Sequence, residues 1–129
     1  MSDDMAAPRT ERLPLTTGDG LDLRAELAAP ADPRAVAVVC HPHPLHGGNM
    51  YANVVETLFQ ALPATGVATL RFNFRGTNGS EGRHDQGRGE QLDVVAGIET
   101  VSERHPGLPL LLAGYSFGAD LALAVDHGN

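Results

Sequence analysis

Residues 108–119 read Leu-Pro-Leu-Leu-Leu-Ala-Gly-Tyr-Ser-Phe-Gly-Ala, and a helix-like run follows to Val125. The apolar run Leu108 to Ala113, the G-x-S-x-G pentapeptide Gly114 to Gly118 and the helix former from Ala119 spell strand, tight turn and helix. A serine at the apex of such a turn is held in a strained backbone conformation, with its hydroxyl lifted clear of the sheet. Gly114 and Gly118 let strand and helix approach without Cβ clashes. Ser116 is therefore a candidate nucleophile, and a serine nucleophile needs a base and an orienting acid.

Upstream, the chain alternates strand and helix signals. Residues 1–10 are polar and expected to form a disordered tail, with one α/β domain over 11–129. Arg12 to Thr17 and Leu21 to Ala28 flank Gly18-Asp19-Gly20, the signature of a hairpin. Ala35 to Cys40 (AVAVVC) is wholly apolar, as a strand covered on both faces must be. A His/Pro/Gly loop, His41 to Gly48, leads into an amphipathic helix from Tyr51 to Leu62, with Val54, Val55, Leu58, Phe59 and Leu62 on one side. Gly66 closes it. Val67 to Phe74 is the next strand, and Arg75 to Gly89 a loop with five glycines. Glu90 to Arg104 reads as a helix with Leu92, Val95, Ile98, Glu99 and Ser102 on its i/i+3/i+4 rows. His105-Pro106-Gly107 ends it, and Leu108 to Ala113 reads as a third buried strand. Apolar strands alternating with helices call for a three-layer α/β sandwich: a mostly parallel sheet carrying an N-terminal antiparallel hairpin.

Composition narrows the function. The 129 residues carry nine arginines, no lysine and 16 acidic side chains, for a formal net charge of −7. That balance argues against nucleic acid, whose phosphates need clustered positive charge, and against an anionic membrane surface. One cysteine, Cys40, allows no internal disulfide and suits a reducing, cytoplasmic compartment. Cys40 itself reads as a small buried apolar residue. The acidic start, Met1-Ser2-Asp3-Asp4-Met5, is no signal peptide.

Three blocks resemble the α/β-hydrolase superfamily, in particular its small, lidless, dienelactone-hydrolase-like serine hydrolases. They are HPHPLHGGNMYANVV at 41–55, RFNFRGTNGSEG at 71–82 and GYSFGA at 114–119, each after a strand. The resemblance spans residues 11–126. It implies a serine nucleophile at Ser116 acting on a small acyl substrate, an ester, thioester or amide. It also implies an oxyanion hole made of the Phe117 N–H and an N–H from the His41 to His46 loop. Pro42 and Pro44 have no N–H to give. The loop donor is then His43, at the position relatives use, with Leu45 as the fallback.

The resemblance also marks a departure. Members of the family carry acid and histidine downstream of the serine, on loops after later strands. The expectation is an incomplete domain whose fifth strand forms an exposed edge, open to a complementing chain or to self-association. A non-catalytic or partner-completed half-domain is thus the alternative to a working serine hydrolase. Asp126-His127 cannot supply the base, since a helix from Ser116 places His127 on the order of 16 Å away at ~1.5 Å per residue. His43 and His46 lie on the loop beside the elbow, but approach from the oxyanion side.

Other motifs carry competing readings. His41-x-His43-x-x-His46 has the spacing of a dizinc hydrolase loop, but Leu45 stands where that pattern needs Asp, so no metal is expected. Gly76, Gly79 and Gly82 form a turn-rich loop and not a dinucleotide fingerprint, so no cofactor is expected. Arg75, at a strand end, either grips a substrate carboxylate or supports its loop. Asn73 reads as a loop support too. Glu90 and Asp93 complement the dipole of the helix they open.

Overall fold

The computed structural model describes residues 8–125. The expectations for residues 1–7 and for Asp126-His127 fall outside the described residues. The elements are β1 (Arg9–Thr16), β2 (Asp22–Ala29), β3 (Ala35–Cys40), a 3-10 turn at Pro44–His46, α1 (Asn53–Ala64), β4 (Val67–Phe72), α2 (Glu90–Arg104), β5 (Leu110–Gly114) and α3 (Phe117–Ala124). β1 begins at Arg9, so residues 9 and 10, read as tail, pair with Ala29 and Ala28.

The five strands form one sheet in the order β1-β2-β4-β3-β5. β1, β2 and β4 pair antiparallel, while β3 runs parallel to both β4 and β5. From β3 the chain crosses through α1 to β4, then returns through α2 to β5 on the far side of β3. Because both crossovers keep the same hand, this reversal puts α1 on one face of the sheet and α2 on the other. α3 packs with α2. The carboxyl ends of β3, β4 and β5 flank the reversal, where open α/β sheets place their ligand crevice.

β3 is covered on both faces, as its all-apolar sequence demands, and Val36 to Cys40 are at most 1% exposed. Between the sheet and α2 lies a core of Leu15, Leu23, Leu27, Val38, Leu70, Phe72, Val94 and Val101. On the α1 side, β4 buries a charge. Arg71 reaches Glu26 across the sheet at 2.6 Å and Glu56 of α1 at 2.7 Å, and its guanidinium lies 3.8 Å from the centre of the Phe59 ring. Tyr51 donates its hydroxyl to the second Glu26 oxygen at 2.8 Å. Burial pushes the Glu26 carboxyl up, but the Arg71 and Tyr51 hydrogen bonds outweigh it and hold the group below its usual range. A buried ion has to be paired in this way to be tolerated.

Four readings of the sequence need correction. The buried stripe of α1 is Val55, Phe59 and Pro63, while Val54 is 36% exposed. The buried stripe of α2 is Glu90, Asp93, Val94, Ala96, Gly97 and Val101, with Leu92 turned outward. Two carboxylates thus occupy positions that an apolar pattern cannot reveal, because the 73–89 loop gives them hydrogen-bond partners. Finally, β5 is not a buried strand. Among the described residues it pairs only with β3, and Leu111 is 46% exposed. β4 also ends two residues early, at Phe72, although Phe74 remains fully buried.

Candidate active site

Ser116 stands between β5 and α3 with φ 59° and ψ −120°, a backbone conformation that non-glycine residues rarely adopt. Two close approaches create the bend. A Cβ on Gly114 would fall into the backbone of Gly118 and Ala119, and one on Gly118 into the carbonyls of Cys40 and His41. Neither neighbour is a flexible side chain, so neither can yield. The start of α3 is thereby wedged against the carboxyl end of β3. Ser116 is exposed at the apex, beside an exposed Tyr115. Cys40 is fully buried below the bend, and burial pushes its thiol up to about 12, which leaves it chemically idle.

The loop after β3 is fixed from its base. His41 is fully buried, accepts the Phe74 N–H at Nε2 (3.0 Å) and keeps its proton on Nδ1, 2.6 Å from the Pro42 carbonyl. It therefore ties the end of β3 to the end of β4. Burial holds its pKa down to about 4, although the Pro42 hydrogen bond works the other way. His43 caps the 3-10 turn: its Nδ1 accepts the Leu45 N–H at 3.1 Å. Among the described residues, the N–H groups of His43 and Phe117 have no partner, whereas the Leu45 N–H is occupied by this cap.

The His43 ring packs against three others: His46 at 4.7 Å, His84 at 4.8 Å and Phe117 at 4.8 Å between centroids. The loop after β3 and the elbow are therefore in contact. His41 is committed to Phe74 and Pro42, away from the other two imidazoles, and no group of three or more metal-ligating side chains converges among the described residues.

The glycine-rich loop after β4 is held by the two buried acids. Asp93 takes the Arg75 backbone N–H at 2.9 Å and its guanidinium at 2.8 Å and 3.0 Å. Asp19, in the β1–β2 turn, takes the other side of the same guanidinium at 2.9 Å and 3.1 Å. Arg75 is thus a structural clamp, with little guanidinium left to offer a substrate. Burial raises the Asp93 pKa against the pull of Arg75, while Asp19, hydrogen-bonded by Arg75 and Thr17, is held down to about 2. Glu90 accepts the backbone N–H groups of Asp85 (2.7 Å) and Gly87 (3.1 Å). Asn73 joins the two loops, accepting the Met50 N–H at 2.8 Å and donating to the Asn78 carbonyl at 3.2 Å.

Sequence reasoning missed His84. Its ring lies 5.5 Å from Phe117, and its Nδ1 is 3.0 Å from Glu90 Oε2, in poor line for a hydrogen bond. The only signal was a histidine inside a glycine-rich loop, too weak to place it. No histidine hydrogen-bonds the Ser116 hydroxyl among the described residues. A groove of about 680 Å³ lies elsewhere, over β1 and β2 beside Tyr51, bordered by Arg12, Arg24 and Glu81, and neither the elbow nor the His43 turn lines it.

Residues 31–128 match the family described as serine aminopeptidase, S33. An uncharacterized protein of Rickettsia prowazekii, RP471, is 42% identical over 89 residues, covering 68% of this chain and 37% of that protein. An α/β serine hydrolase homologue from Coxiella burnetii superposes with a TM-score of 0.80 at 38% identity, over 87% of this chain and 54% of that one. XC6422 of Xanthomonas campestris, an α/β serine hydrolase without a lid, gives 0.82 at 38%, over 89% and 54%. The chain spans about half the length of these solved relatives. No helix among the described residues is long and apolar enough to cross a membrane.

Proposed function

The chain belongs to the serine aminopeptidase, S33, family of α/β hydrolases, and on that footing we propose that it carries the nucleophile and oxyanion side of a serine hydrolase acting on a small ester, thioester or amide. One observation carries the reading: an exposed serine at φ 59° on a strand-to-helix bend that two crowded glycines enforce. Such strain persists where the surrounding structure over-determines it, and it is concentrated at reactive positions.

In this account Ser116 Oγ attacks the carbonyl carbon, and the carbonyl oxygen takes up the negative charge. The N–H groups of Phe117 and His43 receive that charge, His43 in preference to Leu45 because the Leu45 N–H already has a partner. The N-terminal end of α3, directly behind Ser116, adds a favourable dipole. A base that the described residues do not supply takes the Ser116 proton and returns it to the departing alcohol, thiol or amine as the tetrahedral adduct collapses, and water then releases the acyl group. Tyr115, exposed and next to the serine in the chain, offers apolar surface to the acyl group. Arg75 supports its loop and takes no part. Hydrolysis of p-nitrophenyl acetate by the whole protein, lost in Ser116→Ala, supports this reading; equal turnover by that variant contradicts it.

The open edge of β5 favours a second reading, in which this chain is a non-catalytic half-domain. A segment of the same or another polypeptide would then pair with Leu110 to Gly114 and contribute the base. Size-exclusion chromatography and urea unfolding of the 129-residue chain separate the two. A monodisperse, cooperatively unfolding, active species excludes the half-domain, whereas inactive aggregates support it.

A further inference from the structure

Hydrogen bonds converge on His43 to close the turn after β3. The N–H groups of His46 (3.1 Å) and Gly48 (3.0 Å) donate to its carbonyl, and Leu45 donates to its Nδ1 (3.1 Å). Only the last of these can titrate. An imidazole accepts at Nδ1 only while that nitrogen is unprotonated, so the cap requires the neutral ring with its proton on Nε2. Protonation would turn Nδ1 into a donor facing another donor.

The ring's surroundings come from several elements. His46 stacks on it from its own turn, His84 faces it from the 73–89 loop, and Phe117 covers it from α3. Glu90 of α2 acts from behind His84. Burial, His84 and His46 all disfavour a charged His43, in that order, and Glu90 partly offsets them, so the group titrates below its ordinary value.

We propose that the His43 imidazole is a positioning residue: neutral, it caps the Pro44–His46 turn and fixes the loop that carries the His43 N–H, and protonated, it releases that turn. The consequence for oxyanion binding rests on the reading of Ser116 given above; the cap does not. One residue thus serves through two separate groups, its main-chain N–H and its side-chain acceptor.

The test is amide hydrogen exchange at Leu45, corrected for intrinsic pH dependence and followed by NMR alongside the ring nitrogens of His43 in the intact chain. In the wild type, exchange rises roughly five- to tenfold as His43 takes up its proton, the loss of one ordinary hydrogen bond. His43→Asn, whose amide oxygen caps without titrating, stays protected across the same range. His43→Ala is unprotected at every pH. Leu45 exchange in the wild type that ignores the His43 titration overturns the proposal, as does a His43→Asn profile that still follows pH. The readout holds whether or not Ser116 reacts, so the two readings fail separately.

Discussion

A methyl group on Gly118 would occupy the space of the Cys40 carbonyl. That close approach, shared with the His41 carbonyl, wedges the start of α3 against the end of β3. Gly118→Ala is therefore expected to cost about 2–3 kcal/mol or more, because backbone on both sides leaves no side chain to move. Urea unfolding measures it. A loss below about 0.5 kcal/mol would mean that the wedge is looser than described.

Ser116 itself is strained and exposed. Ser116→Gly removes the left-handed penalty while losing little packing, so it is expected to stabilise the fold by about 1 kcal/mol once the greater backbone entropy of glycine is subtracted. Ser116→Ala keeps the strain and is expected to unfold with the wild type. Equal stability of the Gly and Ala variants would argue against strain at the elbow.

Arg75 has two carboxylate partners of different kinds. Asp93 is fully buried, while the Asp19 side chain is 42% exposed. Removing the buried partner leaves a nearly buried guanidinium short of its main ligand, so Asp93→Ala is expected to cost about 3–5 kcal/mol. Asp19→Ala should cost far less, since water screens that pair and can replace it. Chemical denaturation of both variants checks the order, and a larger loss for Asp19→Ala would contradict the clamp.

His41 gives the fold an acid limit above the carboxylate range. Its folded pKa near 4 lies below the ~6.5 of an unfolded histidine, so between these values the unfolded chain binds more protons. The contribution is complete above pH ~6.5 and is lost as pH falls toward 4, about 3 kcal/mol in all. The depressed carboxylates, Asp19 and Glu26 among them, add their losses at lower pH. Unfolding free energies at pH 7, 5 and 4, with the His41 ring followed by NMR, test this; a ring that titrates near 6.5 would refute it.

The sequence made some of this legible and not the rest, for physical reasons. β3 is visible because a strand covered on both faces has to be apolar throughout, and the elbow because G-x-S-x-G between strand and helix has few other structural uses. The limits of α2 were readable from Glu90 and from His105-Pro106-Gly107. Its buried face was not, since Glu90 and Asp93 are tolerated inside only because the preceding 73–89 loop folds back to bring them N–H groups and a guanidinium. His84 was hidden for the same reason, as loops have no period from which to infer a neighbour. The LPLLLAG run carried two readings, a buried strand and an open edge, and among the described residues it lies at the edge. Its apolar residues say that β5 prefers cover, but burial is decided by what lies alongside, and Leu111 is half open.

The hydroxyl of Ser116 is, on the function proposed above, a nucleophile served by the Phe117 and His43 N–H groups. Intact-mass and peptide mapping of the whole protein after exposure to a fluorophosphonate probe tests it most directly. One adduct is expected, on the peptide containing Ser116, absent from Ser116→Ala and weakened in His43→Pro, which lacks the main-chain N–H. No adduct on the wild type, or an adduct that persists in Ser116→Ala, would contradict it.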